Sequence, residues 1–327
     1  MDDAIIIGGG PAGLSAALVL GRCRRSVTLI DDARQRNRAS ASLNGYLTRD
    51  GVPPAEFLSL ARAEAAGYGV RFVDATVDAA EPVPGGFAVR TAAPSAARFT
   101  ARRLLLATGV RDILPDIPGL RDLYGVSVHH CPYCDGWQHR DRRIAAFGRG
   151  RRAVGLARAL RTWTQHLLIC TDGGRITPAE RSVARRLGAD LREERVARLE
   201  AAEGNLRRVH FVSGPPAECD ALFFNTGQVQ RSTLPRALGC DFKRDGGVKT
   251  NRRQGTCVPG VFLAGDAAKD VQFVIVAAAE GATAAVAMNA ELQDEDLPPM
   301  PPDSPGPEGG VAATISSKGR GGIRTHG

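Results

Sequence analysis

Ala4-Ile5-Ile6-Ile7-Gly8-Gly9-Gly10-Pro11-Ala12-Gly13 decides how this chain is read. An apolar strand runs straight into G-x-G-x-x-G, and Leu14 to Leu20 continues as a helical run. Glycines permit the tight turn and let backbone N–H groups approach a pyrophosphate at a helix N-terminus. A second apolar strand, Ser26 to Ile30, ends in Asp31-Asp32, where an acid accepts ribose hydroxyls. The unit therefore suits an unphosphorylated ribose, as in FAD or NAD.

Outward from this fingerprint, strand and helix signals alternate, which predicts an α/β protein with parallel sheets. Pro54 to Ala66 reads as a helix, and Val70 to Val77, Gly86 to Thr91 and Arg98 to Thr100 read as a small meander. Arg103 to Leu106 reads as a separate buried strand that ends at Ala107-Thr108-Gly109, and Asp112 to Pro118 as a crossover. A second unit then opens with Arg143 to Phe147 and the G-x-G-x-x-A turn Gly148-Arg149-Gly150-Arg151-Arg152-Ala153. Its Thr177-Pro178-Ala179-Glu180 is a capping box with proline at the first helical position. Gly260 to Asp266 returns to a strand ahead of the Ala-rich run Phe273 to Ala290, so the first unit is discontinuous. Two doubly wound, Rossmann-like nucleotide-binding domains are expected, the first from residues 1–115 and 243–296, the second inserted at 116–242. Residues 297–327, rich in Pro, Gly and Ser, are expected to form a disordered tail.

A chain of 327 residues is long enough for two cores. Its formal charge of +8 comes mainly from arginines spread over helical stretches without interleaved aromatics, a solvated face rather than a nucleic-acid surface. Ala4 to Gly21 is uncharged, but Asp2 and Asp3 precede it and Gly8 to Pro11 would break a spanning helix. Phe273 to Ala290 is interrupted by Glu280 and Gly281. No membrane segment and a cytoplasmic location are expected.

Seven cysteines form an odd set with one close pair, Cys131-Pro132-Tyr133-Cys134, unlike a secreted disulfide scaffold. Cys131 and Cys134 read as a redox dithiol, which needs a thiolate of lowered pKa. A zinc site drawing on His129, His130 or His139 would ordinarily show a second ligand pair, so no metal is expected. His129 and His130 are candidate proton shuttles.

The ordered set of Gly8-Gly9-Gly10-Pro11-Ala12-Gly13, Ala107-Thr108-Gly109, Cys131-x-x-Cys134-Asp135-Gly136, Gly148-x-Gly150 and Gly265-Asp266 resembles bacterial thioredoxin reductases and their relatives. The likeness covers about residues 1 to 296. It implies an FAD-dependent NAD(P)H:disulfide oxidoreductase. FAD would lie on Gly8, Gly10, Pro11, Ala12, Gly13, Asp31, Asn37, Thr108, Gly109, Gly265 and Asp266, with NADPH or NADH on Gly148 and Gly150. Cys134 would be the flavin-facing sulfur, Cys131 the exchanging one and Asp135 the acid/base. The implied partner is a thioredoxin-like protein or a small-molecule disulfide, and the implied assembly a homodimer.

Two departures stand out. Thr171-Asp172-Gly173-Gly174-Arg175 occupies the place of the family's basic stretch for a ribose 2′-phosphate, and an acid there would repel one. Arg149, Arg151 and Arg152 replace small and acidic residues in the second turn. Relatives with a degraded pyridine site include oxygen-dependent dithiol oxidases that form disulfides in small molecules, and Cys-Pro-Tyr-Cys is similar to their pair. That activity is the alternative expectation.

Overall fold

A computed structural model describes residues 1–94 and 96–298, so all but the first two residues of the expected tail lie outside the described residues. The first sheet runs in the order Arg71–Asp74, Val27–Asp31, Asp2–Ile7, Arg98–Leu106, Gly86–Thr91, Val77–Val83, with Val261–Leu263 also paired to the strand ending at Leu106. Strands beside the glycine turn are parallel, with Ile7 opposite Ile30 and Leu106. The far edge is an antiparallel meander.

Two expectations change here. Arg71–Asp74 is no part of the meander but the parallel edge strand beside Val27–Asp31. Arg98 to Leu106 is one strand rather than two, because the arginines that interrupt its apolar pattern have partners. Arg102 reaches Asp3, Glu295 and Asp296, and Arg103 reaches Glu291 and Glu295, all by ion pairs of 3.1 Å or less. The end of the last helix thus neutralises the middle of the central strand.

One face of this sheet carries the helices Pro11–Arg22 and Val274–Asp296, packed backbone to backbone at Gly281, where a Cβ would lie 2.0 Å from the Ala12 carbonyl oxygen. By length and composition Val274–Asp296 could cross a membrane, yet Ala284, Ala285, Ala287 and Met288 on it are buried in this core. The other face packs the meander against Leu234, Leu238, Cys240 and Val248.

The second sheet is wholly parallel, in the order Asp190–Arg192, Leu167–Cys170, Ile144–Phe147, Ala221–Phe224, Val128–His129. Helices Arg151–Leu160 and Pro178–Arg186 cover one face, and the latter begins with the Thr177/Glu180 capping box. An antiparallel ribbon of Val196–Ala202, Asn205–Phe211 and Ala217–Glu218 covers the other.

The chain crosses between the two units on one two-stranded ribbon, Val110–Asp112 paired with Gln228–Gln230. The return crossing lies ahead of the expected break at 242. Leu234, Leu238 and Cys240 have already rejoined the first core, packed with Phe87, Val89, Leu104 and Leu106.

Candidate active site

The first glycine turn is built to receive a ligand. Gly8 has φ +110°, and a Cβ on Gly13 would sit 1.9 Å from the Gly8 carbonyl oxygen, so turn and helix touch through bare backbone. On the ligand side a Cβ on Gly10 would meet nothing within 4 Å. Asp31, at the end of the second strand, accepts the Gly9 N–H at 2.9 Å and the Gln35 side-chain amide at 2.7 Å. These bonds fix its carboxylate at the rim of a cavity of about 510 Å³.

Gly8, Gly10, Pro11, Ala12, Asp31, Asn37, Thr108, Gly109, Gly265 and Asp266 all line that cavity. Gly13 does not; it serves the packing beneath. The Gly265 N–H is held by Glu280 at 2.6 Å, so the acid that interrupts the last helix braces this turn, and burial raises its pKa. Asp266 is paired with Arg36 at 2.8 Å, and Arg36 also forks onto Asp112 at 2.6 and 2.7 Å.

Cys131 and Cys134 form a disulfide at the start of the short helix Pro132–Asp135. Cys131 caps that helix, its Sγ accepting the Cys134 N–H at 3.1 Å, a donor that would stabilise a thiolate once the bond opens. Cys134, Asp135 and His130 line the same cavity as the first glycine turn. Across the domain boundary, Asn44 donates its amide to the Cys134 carbonyl at 2.9 Å, and Tyr133 packs edge-on against Phe273 at 6.2 Å.

The second turn differs from the first although its motif is nearly the same. Gly10 has φ −79°, whereas Gly150 has φ +60°. A Cβ on Gly150 would be 2.7 Å from the Arg175 carbonyl oxygen, and one on Gly174 would be 2.3 Å from the Gly150 nitrogen. The second glycine of such a fingerprint is the one whose bare face admits the pyrophosphate. Here the Gly174–Arg175 backbone lies against Gly150 where the first turn leaves Gly10 open. Asp172, expected to confront a ribose phosphate, instead turns to accept the Val196 N–H at 3.1 Å.

A family model described as pyridine nucleotide-disulphide oxidoreductase matches residues 2–281. The chain belongs to the pyridine nucleotide-disulphide oxidoreductase family. It is 32% identical to a protein of Arthroderma benhamiae named probable thioredoxin reductase, over 90% of this chain and 81% of that one. It is 31% identical to the thioredoxin reductase tcpT of Claviceps purpurea, over 81% and 86%. The solved structure of TrxB from Bacillus anthracis superposes with a TM-score of 0.85 at 30% identity, covering 91% of this chain and all of that one.

Members of this family combine FAD with a pyridine nucleotide, and the chain is a flavin-dependent disulfide oxidoreductase of the thioredoxin reductase kind. The first cavity fits FAD. Gly10 leaves the pyrophosphate approach open, Asp31 offers a fixed acceptor, and the buried Thr108 hydroxyl on the cavity wall has no partner of its own. When bound, FAD supplies a two-electron acceptor or donor beside the cysteine pair.

Family motifs mark the cradle and the pair but not the residues that join them. Asn44 lies in an irregular loop, and Arg36 and Asp112 look like ordinary surface charges in the sequence. Two histidine clusters flank the pair. Beside the connecting ribbon, the Tyr124 hydroxyl lies 3.0 Å from His130 Nδ1 and 3.5 Å from Asp112. Burial, then the Arg36 charge, holds His130 below the usual imidazole range. On the opposite side Asp135 lies 3.5 Å from His129, whose Nε2 is 2.8 Å from His139 Nε2. Spacing alone would not have paired His129 with His139, because the turn at Trp137 folds one back onto the other. Among the described residues no three His, Cys, Asp or Glu side chains form a metal-ligand group.

Proposed function

We propose that this enzyme moves two electrons between FAD in the first cavity and the Cys131–Cys134 pair, and through Cys131 to or from a partner disulfide or dithiol. The observation that carries this reading is that Cys134 and Asp135 line the cavity that Gly8, Gly9 and Gly10 also line. Cys134 is the inner sulfur and Cys131 the exchanging one. Asp135 exchanges the protons that accompany opening and closing of the bond. Thiol exchange then passes reducing equivalents to the partner through a mixed disulfide at Cys131. NADPH or NADH is the family's usual source of those electrons, and the partner is a thioredoxin-like protein or a small molecule.

One observation favours a second reading, in which dithiols reduce the pair and oxygen finally takes the electrons. The second turn is covered by Gly174 and Arg175, while the first is open. Anaerobic mixing of the holoprotein with dithiothreitol, NADH and NADPH in parallel tests both. Bleaching of the visible flavin band by dithiothreitol, lost in Cys134→Ser with flavin still bound, is expected; bleaching at full rate in that variant overturns the proposed route. Fast bleaching by a nicotinamide supports the reductase direction. Bleaching by dithiol alone, with peroxide formed in air, supports the oxidase direction.

We also propose a homodimer in the cytoplasm, without nucleic-acid or membrane partners. Ile275 and Val286, 42% and 60% exposed, lie with Ala279 and Thr283 on one outward stripe of Val274–Asp296, an apolar face suited to a second copy. Five free thiols suit a reducing compartment. Sedimentation velocity of the wild type and Val286→Glu tests the assembly, and a monomeric wild type would refute it.

A further inference from the structure

We propose that His129 and His139 form a proton path leading from Asp135, at the flavin cavity, out through the back of the second domain, with His139 as its exit. The inference rests on the cysteine chemistry proposed above. Opening a disulfide with two electrons takes up two protons, and closing it releases two. A group on the cavity wall must therefore pass protons onward, and Asp135 is 15% exposed there.

The geometry provides a route. Asp135 Oδ2 lies 3.5 Å from His129 Nδ1, and His129 Nε2 lies 2.8 Å from His139 Nε2. Two ring nitrogens this close share one hydrogen, so one donates while the other accepts. With the hydrogen on His129 Nε2, His129 Nδ1 is free to take a proton from Asp135. The Nε2 hydrogen then passes to His139, which releases its Nδ1 proton outward. Both rings finish neutral with their tautomers exchanged, and no charge or electron is left unaccounted for.

His129 is 5% exposed and wedged against Phe223 at 5.3 Å, so it holds one orientation and has no direct solvent route. His139 is half-buried and packs edge-on against Phe223 at 6.1 Å. The titratable and charged groups around it are His129, Asp135, Arg142 and Asp220. Burial, followed by the facing His129, lowers its pKa to about 4, so a proton that arrives is handed on rather than kept. The cluster beside the connecting ribbon offers no such exit. His130 and Tyr124 lead back to Asp112, which is already engaged by Arg36.

The test is stopped-flow reduction of the holoprotein by dithiothreitol from pH 6 to 9, comparing wild type with His139→Phe and His139→Gln. Phenylalanine preserves the ring contact with Phe223 but carries no proton; glutamine covers the case in which the first variant fails to fold. Slowing by about tenfold or more is expected, as for loss of a positioned proton carrier. The pH profile should change and added imidazole should partly restore the rate, while the flavin spectrum and the apparent affinity for dithiol stay constant. Unchanged rate and profile in a folded variant overturn the proton path. Slowing that imidazole does not relieve, with an unchanged profile, assigns His139 a packing role and also overturns it. A wild type whose flavin is not reduced by dithiol defeats the underlying redox reading instead.

Discussion

At the scale of single residues, His139 links folding to acidity. Its proton affinity is depressed in the native protein, mainly by burial, to a pKa of about 4, against an ordinary imidazole value of 6.5. A depressed value means that the unfolded chain binds the extra proton first. The stabilisation is therefore complete above the unfolded value and is lost as pH falls from 6.5 through about 4. His130, depressed in the same direction, adds to the loss. Thermal midpoints recorded over that window should decline, and the decline should be shallower in His139→Gln. Arg36 gives the opposite kind of test. Its guanidinium joins Asp112 and Asp266, whose side chains are 6% and 21% exposed. Burial, the largest single influence, would raise the Asp112 carboxyl, but Arg36, His130 and Gln228 together outweigh it and hold the group low. Arg36→Met should cost about 3–5 kcal/mol in urea unfolding, because two carboxylates lose their shared partner.

Gly8, Gly10, Asp31, Cys131 and Cys134 were legible because each acts through its own stretch of backbone, so neighbouring residues reveal it. Arg36 and Asn44 act on groups far away in sequence, and no local pattern separates them from other arginines and asparagines; His139 meets His129 only ten residues away, but through a turn that spacing does not record. The second turn was half legible. Its glycines spelled a fingerprint, but the positive φ of Gly150 and the cover from Gly174 arise from how the following loop packs, which spacing does not record.

At the scale of elements, the contact between the helices Pro11–Arg22 and Val274–Asp296 constrains the cradle through backbone alone. Gly281→Ala introduces a methyl 2.0 Å from the Ala12 carbonyl oxygen, and that carbonyl belongs to the first turn of the dinucleotide helix. Stability should fall by about 1–3 kcal/mol, as for overpacking elsewhere. Flavin retention on gel filtration should fall with it, whereas Gly155→Ala, whose added methyl meets nothing within 4 Å, should lose neither. The alternating elements were readable from apolar runs and glycines. The continuity of Arg98–Leu106 was not, since the acids that neutralise its arginines, Asp3 and those from Glu291 to Asp296, stand about a hundred residues or more away in the chain.

At the scale of the whole molecule, polar contacts tie the cysteine pair to the cradle. Asn44 to the Cys134 carbonyl is one of them. Asn44→Ala removes a bond worth about 0.5–1.5 kcal/mol, enough to loosen the hold of the cradle on the pair about two- to tenfold. After reduction, a bulky thiol reagent should label the pair correspondingly faster in this variant; equal labelling rates would mean that the contact carries no weight.

The inserted unit leaves and rejoins the outer one at neighbouring points. The Ile113 N–H donates to the Gly227 carbonyl at 3.0 Å, and the Thr226 hydroxyl donates to the Ile113 carbonyl. Both ends thus pass through a single doorway, while Val261–Leu263 closes the outer sheet without help from the inserted unit. Such a layout makes the inner module portable. A counterpart with a different electron source could be grafted at this threshold and leave the flavin-holding shell intact.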